Sequence, residues 1–303
     1  MWQPPYTRYS EDEIVAAALG HCAVMGASGA RFSGNVLQRL PELRFISKFG
    51  AGVDSIDLEA ATALGILVSN TPEDGEAADV AEHTIAMMLA LKKRLLDWTP
   101  AYMRAGGWRP GPFAQSMAGD TIGLIGLGHI GRAVARRLSG WDVNILGFDP
   151  AIRSAVPDVT LTDLTSLLEA SDIVSLHANP TSSNRHLIDA KAIGLMKSSS
   201  LLINTARASL IDTEALVQAL DSGRIAGAAI DVYDEEPPDP AAALFRLRNL
   251  LATPHTAAWT RGGLENIGWH AARNLVAMLT GKGHADIVNA PAAGAGTLVG
   301  LNL

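Results

Sequence analysis

Short apolar runs and helical stretches alternate along the whole chain. Ser10 stands where an N-cap belongs, ahead of a helical pattern whose apolar positions are Ile14, Val15, Ala18 and Leu19. Residues 22–25 form an apolar run, followed by a helix-like GNVLQRL and a strand-like RFISKF. IDLEAATALG then predicts a helix stopped by Gly65, and GILVSN predicts the next strand. Residues 80–96 read as one long amphipathic helix.

The second half repeats the rhythm more cleanly. Strands are predicted at 121–125, 143–148, 173–176, 201–204, 226–230 and 250–252. All are short runs of Ile, Leu, Val and Ala, the composition of strands buried on both faces. Helical patterns separate most of them, DTEALVQALDSG among these, which implies right-handed βαβ units and an open parallel sheet. The Gly-, Pro- and Trp-rich stretch WTPAYMRAGGWRPGPFAQSMAGD marks a boundary between two halves. The tail APAAGAGTLVGLNL carries little pattern.

Composition narrows the class. The 303 residues are 48% hydrophobic and 18% charged, enough apolar material for a sizeable core and too much for wholesale disorder. A net charge of −7 argues against a nucleic-acid footprint. The single cysteine, Cys22, excludes an internal disulfide framework and a multi-cysteine metal centre, so no metal is expected. No signal-like N-terminus is visible, and the longest apolar stretch, residues 85–91, runs straight into Lys92-Lys93-Arg94. These features predict a soluble, cytoplasmic protein without nucleic-acid or membrane partners.

Gly126-Leu127-Gly128-His129-Ile130-Gly131 is a G-x-G-x-x-G. With 29 glycines in the chain, chance alone supplies roughly 0.3 such matches, so the string is weak by itself. Its setting strengthens it: strand TIGLI precedes, helix IGRAVARRLSG follows, and strand NILGF ends in Asp149, eighteen residues past Gly131. Gly126 permits a tight turn, Gly128 lets a pyrophosphate approach, and Gly131 lets helix and strand pack closely. The helix N-terminus offers N–H groups to phosphates. Asp149 suits a ribose diol and repels a 2′-phosphate, which favours NAD over NADP, although Arg153 lies close by in sequence. The bland alternatives are a structural glycine turn and a surface aspartate before Pro150.

In an open α/β sheet the chemistry sits at the carboxyl ends of the strands. Those ends carry Thr205, Ala206 and Arg207 after LLIN; Asp231, Asp234, Glu235 and Glu236 after AAI; and His255 after LLATP. Arginine, carboxylate and histidine are the types that reduction of a 2-keto acid requires. A guanidinium clamps the substrate carboxylate, an imidazolium donates the proton, and a carboxylate holds the ring and favours its charged form. Each alone has an ordinary reading as a loop or surface residue, and spacing leaves open which carboxylate meets the histidine.

GAGVDSIDLEAATALGILVSNTP, VAEHTIAMMLAL, TIGLIGLGHIGRAVARRL, LHANPTSSNRHLI, LLINTARASLIDTEAL, GAAIDVYDEEP and TPHTA resemble, in order, the blocks of the D-isomer-specific 2-hydroxyacid dehydrogenases. The resemblance spans nearly the whole chain. It implies an α/β fold of two doubly wound, Rossmann-like parallel-sheet domains with an interdomain active-site cleft. Residues 1–98 with 282–303 would form the substrate domain, and 99–281, including a return helix 261–280, the NAD-binding domain. By this resemblance Arg207 binds substrate, Glu236 partners the histidine, and His255 is the acid and base. Asp231 would hold the nicotinamide carboxamide, and His129, Ile130, His177, Thr205 and Ala206 would line the cofactor cleft. The N–H groups of Ala51 and Gly52 would bind the substrate carboxylate. A homodimer is the implied assembly.

The chain departs from the family pattern in places. Only nine residues precede the SEDEIV helix, where the family usually has a further strand–helix unit. TPEDGEAADVAEH is one residue longer than usual, Ala208 replaces a common glycine, and Asn179-Pro180 differs from the usual loop. A C-terminal regulatory domain after the return helix is not expected from this sequence. Lys48 could face a substrate phosphate or solvent; Trp259 could cap an apolar substrate or simply pack. Two alternatives to the dehydrogenase remain at this level: an NAD(H)-sensing interaction protein of the same fold, and oxidation of a non-carboxylate acid such as phosphite.

Overall fold

The structure, a computed structural model, describes residues 9–27, 29–72, 74–108, 113–282 and 285–289. The chain divides into two compact units, Met1–Glu76 with Thr260–Leu303, and Ala77–Trp259. In the first, α1 (Glu11–Ala18), β1 (Ala23–Gly26), α2 (Gly34–Gln38), β2 (Phe45–Lys48), α3 (Leu58–Ala63) and β3 (Leu67–Ser69) alternate. The described strands are parallel in the order β1-β2-β3, with Ala23 beside Phe45 and Phe45 beside Leu67. Ser10 caps α1 in a full capping box with Glu13, and Gly65 follows α3 with φ +72°, the left-handed turn its sequence position predicts. Phe32, Val36, Leu37, Ile46 and Val68 make the core of this unit.

The second unit opens within α4 (Asp74–Lys92) and continues through α5 (Pro100–Arg104), β4 (Thr121–Ile125), α6 (His129–Leu138), β5 (Asn144–Phe148), β6 (Thr160–Leu161) and α7 (Leu164–Ala170). Then come β7 (Ile173–Leu176), α8 (Ala190–Leu195), β8 (Leu201–Asn204), α9 (Thr213–Asp221), β9 (Gly227–Ile230) and β10 (Leu250–Ala252). The described residues form a seven-stranded parallel sheet in the order β10-β9-β8-β7-β4-β5-β6. Strand order therefore reverses beside β4, the place where sheets of this topology take their ligands, outside the carboxyl ends of the strands. Every residue of β7, β8 and β9 is buried, which is why these strands read as short, mostly apolar runs, with Ser175 and Asn204 the polar residues among them. One face packs on Ala81, Ile85 and Met88 of α4 with Val134 and Leu138 of α6; the other packs on Leu167, Ile193 and Leu216.

The predicted strands of this half fall within a residue of those observed. The edge strand β6 is new, because two exposed residues leave no apolar signal. The long helix runs Asp74–Lys92 rather than 80–96. It ends where Arg94 turns into the left-handed region at φ +54°, and Lys92 pairs with Asp120 at 2.7 Å. Last comes α10 (Arg261–Thr280), with the bounds the sequence predicts but in the first unit. Its Met278 packs with Phe45 and Leu67, and the Ala271 carbonyl accepts from the Ser47 hydroxyl at 2.8 Å. The divisions thus lie at 76/77 and 259/260, not at 98/99 and 281/282, because α10 buries its apolar face on the small sheet and α4 on the large one. The predicted tail, 290–303, and the first eight residues lie outside the described residues. No helix among the described residues is long and apolar enough to cross a membrane.

Candidate active site

The glycine turn is built by contacts that only glycine permits. Gly126 leaves β4 at φ +93°, and a Cβ there would lie 2.5 Å from the Ala178 nitrogen. A Cβ on Gly131 would sit 2.1 Å from the Gly126 carbonyl oxygen. Over Gly128, by contrast, nothing lies within 4 Å of the Cβ position. Gly128 is the N-cap of α6 and supplies no side-chain cap, so the first-turn N–H groups face that open backbone. Ile130 packs on the core beneath, and His129 begins the helix. Asp149 follows β5, with Oδ2 accepting from the Leu127 N–H and Oδ1 from the Ala151 N–H, both at 2.9 Å. The arrangement fits a dinucleotide: open backbone for a pyrophosphate, and a carboxylate with lone pairs to spare beside it. Arg153 bonds the Pro150 carbonyl of its own turn.

His177 lies buried at the end of β7, with Nε2 2.9 Å from Ser175 Oγ and no hydrogen-bond partner for Nδ1 among the described residues. Burial drives its pKa down to about 3, so the ring is neutral. Thr205 is buried too, its hydroxyl 2.9 Å from that of Thr84 on α4. Asn204 braces the following turn from both sides: its Oδ1 accepts the Ala206 N–H at 3.0 Å and its Nδ2 donates to the Arg207 carbonyl at 2.9 Å.

Glu236 and His255 meet. The carboxylate Oε2 lies 2.7 Å from His255 Nδ1, which selects Glu236 from the four carboxylates that follow β9. Burial pushes the Glu236 pKa up, but the His255 hydrogen bond and charge, the Tyr233 N–H and the Arg207 charge together hold it below the ordinary value. Arg207 donates Nη1 to the Ala206 carbonyl at 2.7 Å and is close enough to act on Glu236. With Nδ1 bonded to the carboxylate, Nε2 is the ring atom left for proton transfer.

Asp231 is fully buried and accepts three hydrogen bonds from the turn that carries His255. Thr253 Oγ1 donates at 2.5 Å, the Thr256 N–H at 2.9 Å and the Ala257 N–H at 2.8 Å. His255 itself has φ +53°, a left-handed conformation that costs a non-glycine residue roughly 1–2 kcal/mol. The sequence did not single out two further residues here. Tyr233 donates its hydroxyl to the Thr253 carbonyl at 2.7 Å and its N–H to Glu236 Oε1 at 3.2 Å. His83 of α4 brings Nε2 to 3.1 Å from the Thr253 hydroxyl and 3.8 Å from Asp231. His83 and Tyr233 both lie inside motif blocks, but their own patterns, helical for one and a turn for the other, carry no sign of contact with Thr253. Trp259, 56% exposed, closes the same turn through its N–H to Thr256.

In the first unit the loop after β2 is shaped by Gly50, φ +82°, whose N–H donates to Thr71 Oγ1 at 2.7 Å. Asn70 Nδ2 donates to the Ala51 carbonyl at 2.7 Å. The N–H groups of Ala51 and Gly52 donate to nothing among the described residues. Lys48, the last residue of β2, donates to the Phe49 carbonyl at 2.9 Å.

Comparison with known proteins agrees with this geometry. The family model for the NAD-binding domain of D-isomer-specific 2-hydroxyacid dehydrogenases matches residues 85–257. A glyoxylate reductase of Thermofilum pendens is 39% identical over 298 residues, 95% of this chain and 86% of that protein. A D-3-phosphoglycerate dehydrogenase of Archaeoglobus fulgidus is 35% identical over 289 residues; the match takes in 94% of this chain but only 54% of the relative. A crystal structure of D-lactate dehydrogenase from Aquifex aeolicus with NAD and lactic acid superposes with a TM-score of 0.81 at 29% identity, covering 88% of this chain and 85% of that one. With glycine turn, histidine–glutamate pair and arginine at the carboxyl ends of one parallel sheet, this chain belongs to the D-isomer-specific 2-hydroxyacid dehydrogenase family and carries its NAD-binding domain.

Proposed function

We propose that the protein interconverts a small 2-keto acid and the corresponding D-2-hydroxy acid, with NADH preferred over NADPH. The observation that carries this reading is the 2.7 Å pair of His255 Nδ1 and Glu236, with the Arg207 charge beside it. In the direction of reduction, His255 gives the proton on Nε2 to the substrate carbonyl oxygen, and Glu236 keeps the ring oriented. Arg207 clamps and polarises the keto acid. The Ala51 and Gly52 N–H groups are assigned to the substrate carboxylate. A bound nicotinamide would supply the hydride acceptor or donor; Gly126, Gly128, His129, Ile130, Gly131, His177, Thr205, Ala206 and Asp231 are the residues assigned to hold the cofactor.

Asp149 underlies the preference for NADH, since a second anion would face its carboxylate. Likeness to glyoxylate reductases supports a small acid, and Lys48 and Trp259 are the residues assigned to its variable end. We place the enzyme in the cytoplasm as a homodimer; Leu95, Met103, Trp108 and Phe113, all exposed in the cofactor-binding unit, are apolar surface that a second copy would cover.

The test is NADH consumption against glyoxylate, hydroxypyruvate, 3-phosphohydroxypyruvate, pyruvate and phenylpyruvate, repeated with NADPH. Turnover of one acid with NADH preferred is the expected result. NADH binding without turnover of any acid would overturn it in favour of a nucleotide-sensing role, and turnover of phosphite alone would move the chemistry to a non-carboxylate acid.

A further inference from the structure

His255 is held by its ring through Glu236, but its backbone sits in a left-handed turn that must be held separately. The residues around that turn can be assigned donors and acceptors without ambiguity. Asp231, when ionised, is an acceptor only, so Thr253 Oγ1, 2.5 Å away, spends its one proton on that carboxylate. The same hydroxyl can then only accept from His83 Nε2, 3.1 Å away. The chain of protons therefore runs from His83 Nε2–H to Thr253 Oγ1–H to Asp231 Oδ1, and it fixes the proton of His83 on Nε2. On the other side of the turn the Thr253 carbonyl accepts both the Tyr233 hydroxyl at 2.7 Å and the His255 N–H at 3.0 Å.

We infer that His83 and Tyr233 are positioning residues for His255, acting through Thr253 rather than by touching the reacting atoms. This inference rests on the dehydrogenase reading for its consequence in turnover, but not for its geometry. His83 reaches in from α4, on a different layer from the strand ends, and locks the Thr253 hydroxyl toward Asp231. Tyr233 ties the loop after β9 to the loop after β10: its hydroxyl holds the Thr253 carbonyl while its N–H holds Glu236. The two partners of the proton-transfer pair are thus set by a common brace. Neither residue contacts the His255 ring among the hydrogen bonds described, so each acts on where the ring stands.

The experiment compares full-length wild type with His83→Leu, His83→Gln and Tyr233→Phe. Glutamine can still donate an N–H to the Thr253 hydroxyl; leucine cannot. Two readouts are taken: kcat and KM for keto-acid reduction, and the far-downfield proton resonance of the His255 Nδ1–H bonded to Glu236, recorded without substrate. H83L and Y233F are expected to lower kcat about five- to tenfold with little change in KM, and to broaden or shift that resonance. H83Q is expected to restore both. An H83L protein with wild-type kcat and an unmoved resonance overturns the role of His83, and the same result for Y233F overturns that of Tyr233. Equal losses in H83L and H83Q would also overturn the donor role, leaving only packing. If wild type reduces no 2-keto acid, the functional reading fails alone, and the resonance still decides the positioning.

Discussion

Glu236 Oε2 stands 2.7 Å from His255 Nδ1, and the same carboxylate receives the Tyr233 N–H through its other oxygen. The carboxylate is therefore bound at both ends, and the ring it holds cannot rotate without breaking a charge-assisted bond. With Nδ1 held in the pair, Nε2 is the nitrogen that the proposed proton transfer would use.

That pair sets a pH dependence with a definite sign. In the proposed reduction His255 gives up a proton, so the rate of a chemistry-limited reduction falls as pH rises and that of oxidation rises. A reduction rate flat from about pH 6 to about pH 10 would remove His255 from proton transfer. Glu236 is held below its ordinary value, so its contribution to stability is present above the ordinary carboxylate range and is lost as pH falls through the lowered value. Glu236→Gln should abolish that acid-side component, seen as a flatter plot of Tm against pH below about 4.5.

Replacing Arg207 by Lys keeps a positive charge but removes the planar fork. The shorter-ranged ammonium cannot both brace the Ala206 carbonyl and grip a carboxylate with two parallel bonds. A loss of about a hundredfold or more in kcat/KM is expected, measured by steady-state NADH oxidation. Unchanged kcat/KM would place Arg207 outside the substrate site.

Gly131→Ala tests the glycine turn. Its Cβ would stand 2.1 Å from the Gly126 carbonyl oxygen, and neither backbone can yield without moving α6 from the turn. Weaker NADH binding by about tenfold or more, together with a loss of about 1–3 kcal/mol in stability, is expected from fluorescence titration and denaturant unfolding. Retention of both would mean the turn is looser than its geometry.

His177 is neutral in the folded protein, with a pKa near 3, whereas the unfolded chain takes up its proton near 6.5. Stability from this residue is complete above the unfolded value and falls as pH drops from about 6.5 toward about 3, by up to about 1.4 kcal/mol per unit. His177→Gln, which still offers Ser175 a partner, should remove that slope. Denaturation midpoints measured across this range would show it, and parallel curves for the two proteins would contradict it.

Much of this protein was legible in one dimension. Helix α10 and strands β4, β7, β8 and β10 have the bounds the sequence predicts, and inside the sheet β7 and β8 are mostly apolar because they are buried on both faces. The G-x-G-x-x-G marked the turn in which Gly126 and Gly131 meet, since no other residue survives a 2.1 Å approach to a carbonyl. Arginine, carboxylate and histidine could be named because strand ends are where such a sheet exposes side chains.

Tertiary structure decided the rest. The sequence offered four carboxylates after β9; only the fold of the turn shows that Glu236 meets His255 and Asp231 turns inward. It assigned α10 to the cofactor domain, whereas contacts with Phe45 and Leu67 put it on the small sheet. It passed over His83 and Tyr233, which lie far from Thr253 in sequence or hidden in a turn. Periodicity reports which face of an element is buried, because burial repeats with the backbone. Hydrogen bonds between separate elements do not repeat, so which side chain meets which appears only when the chain is folded.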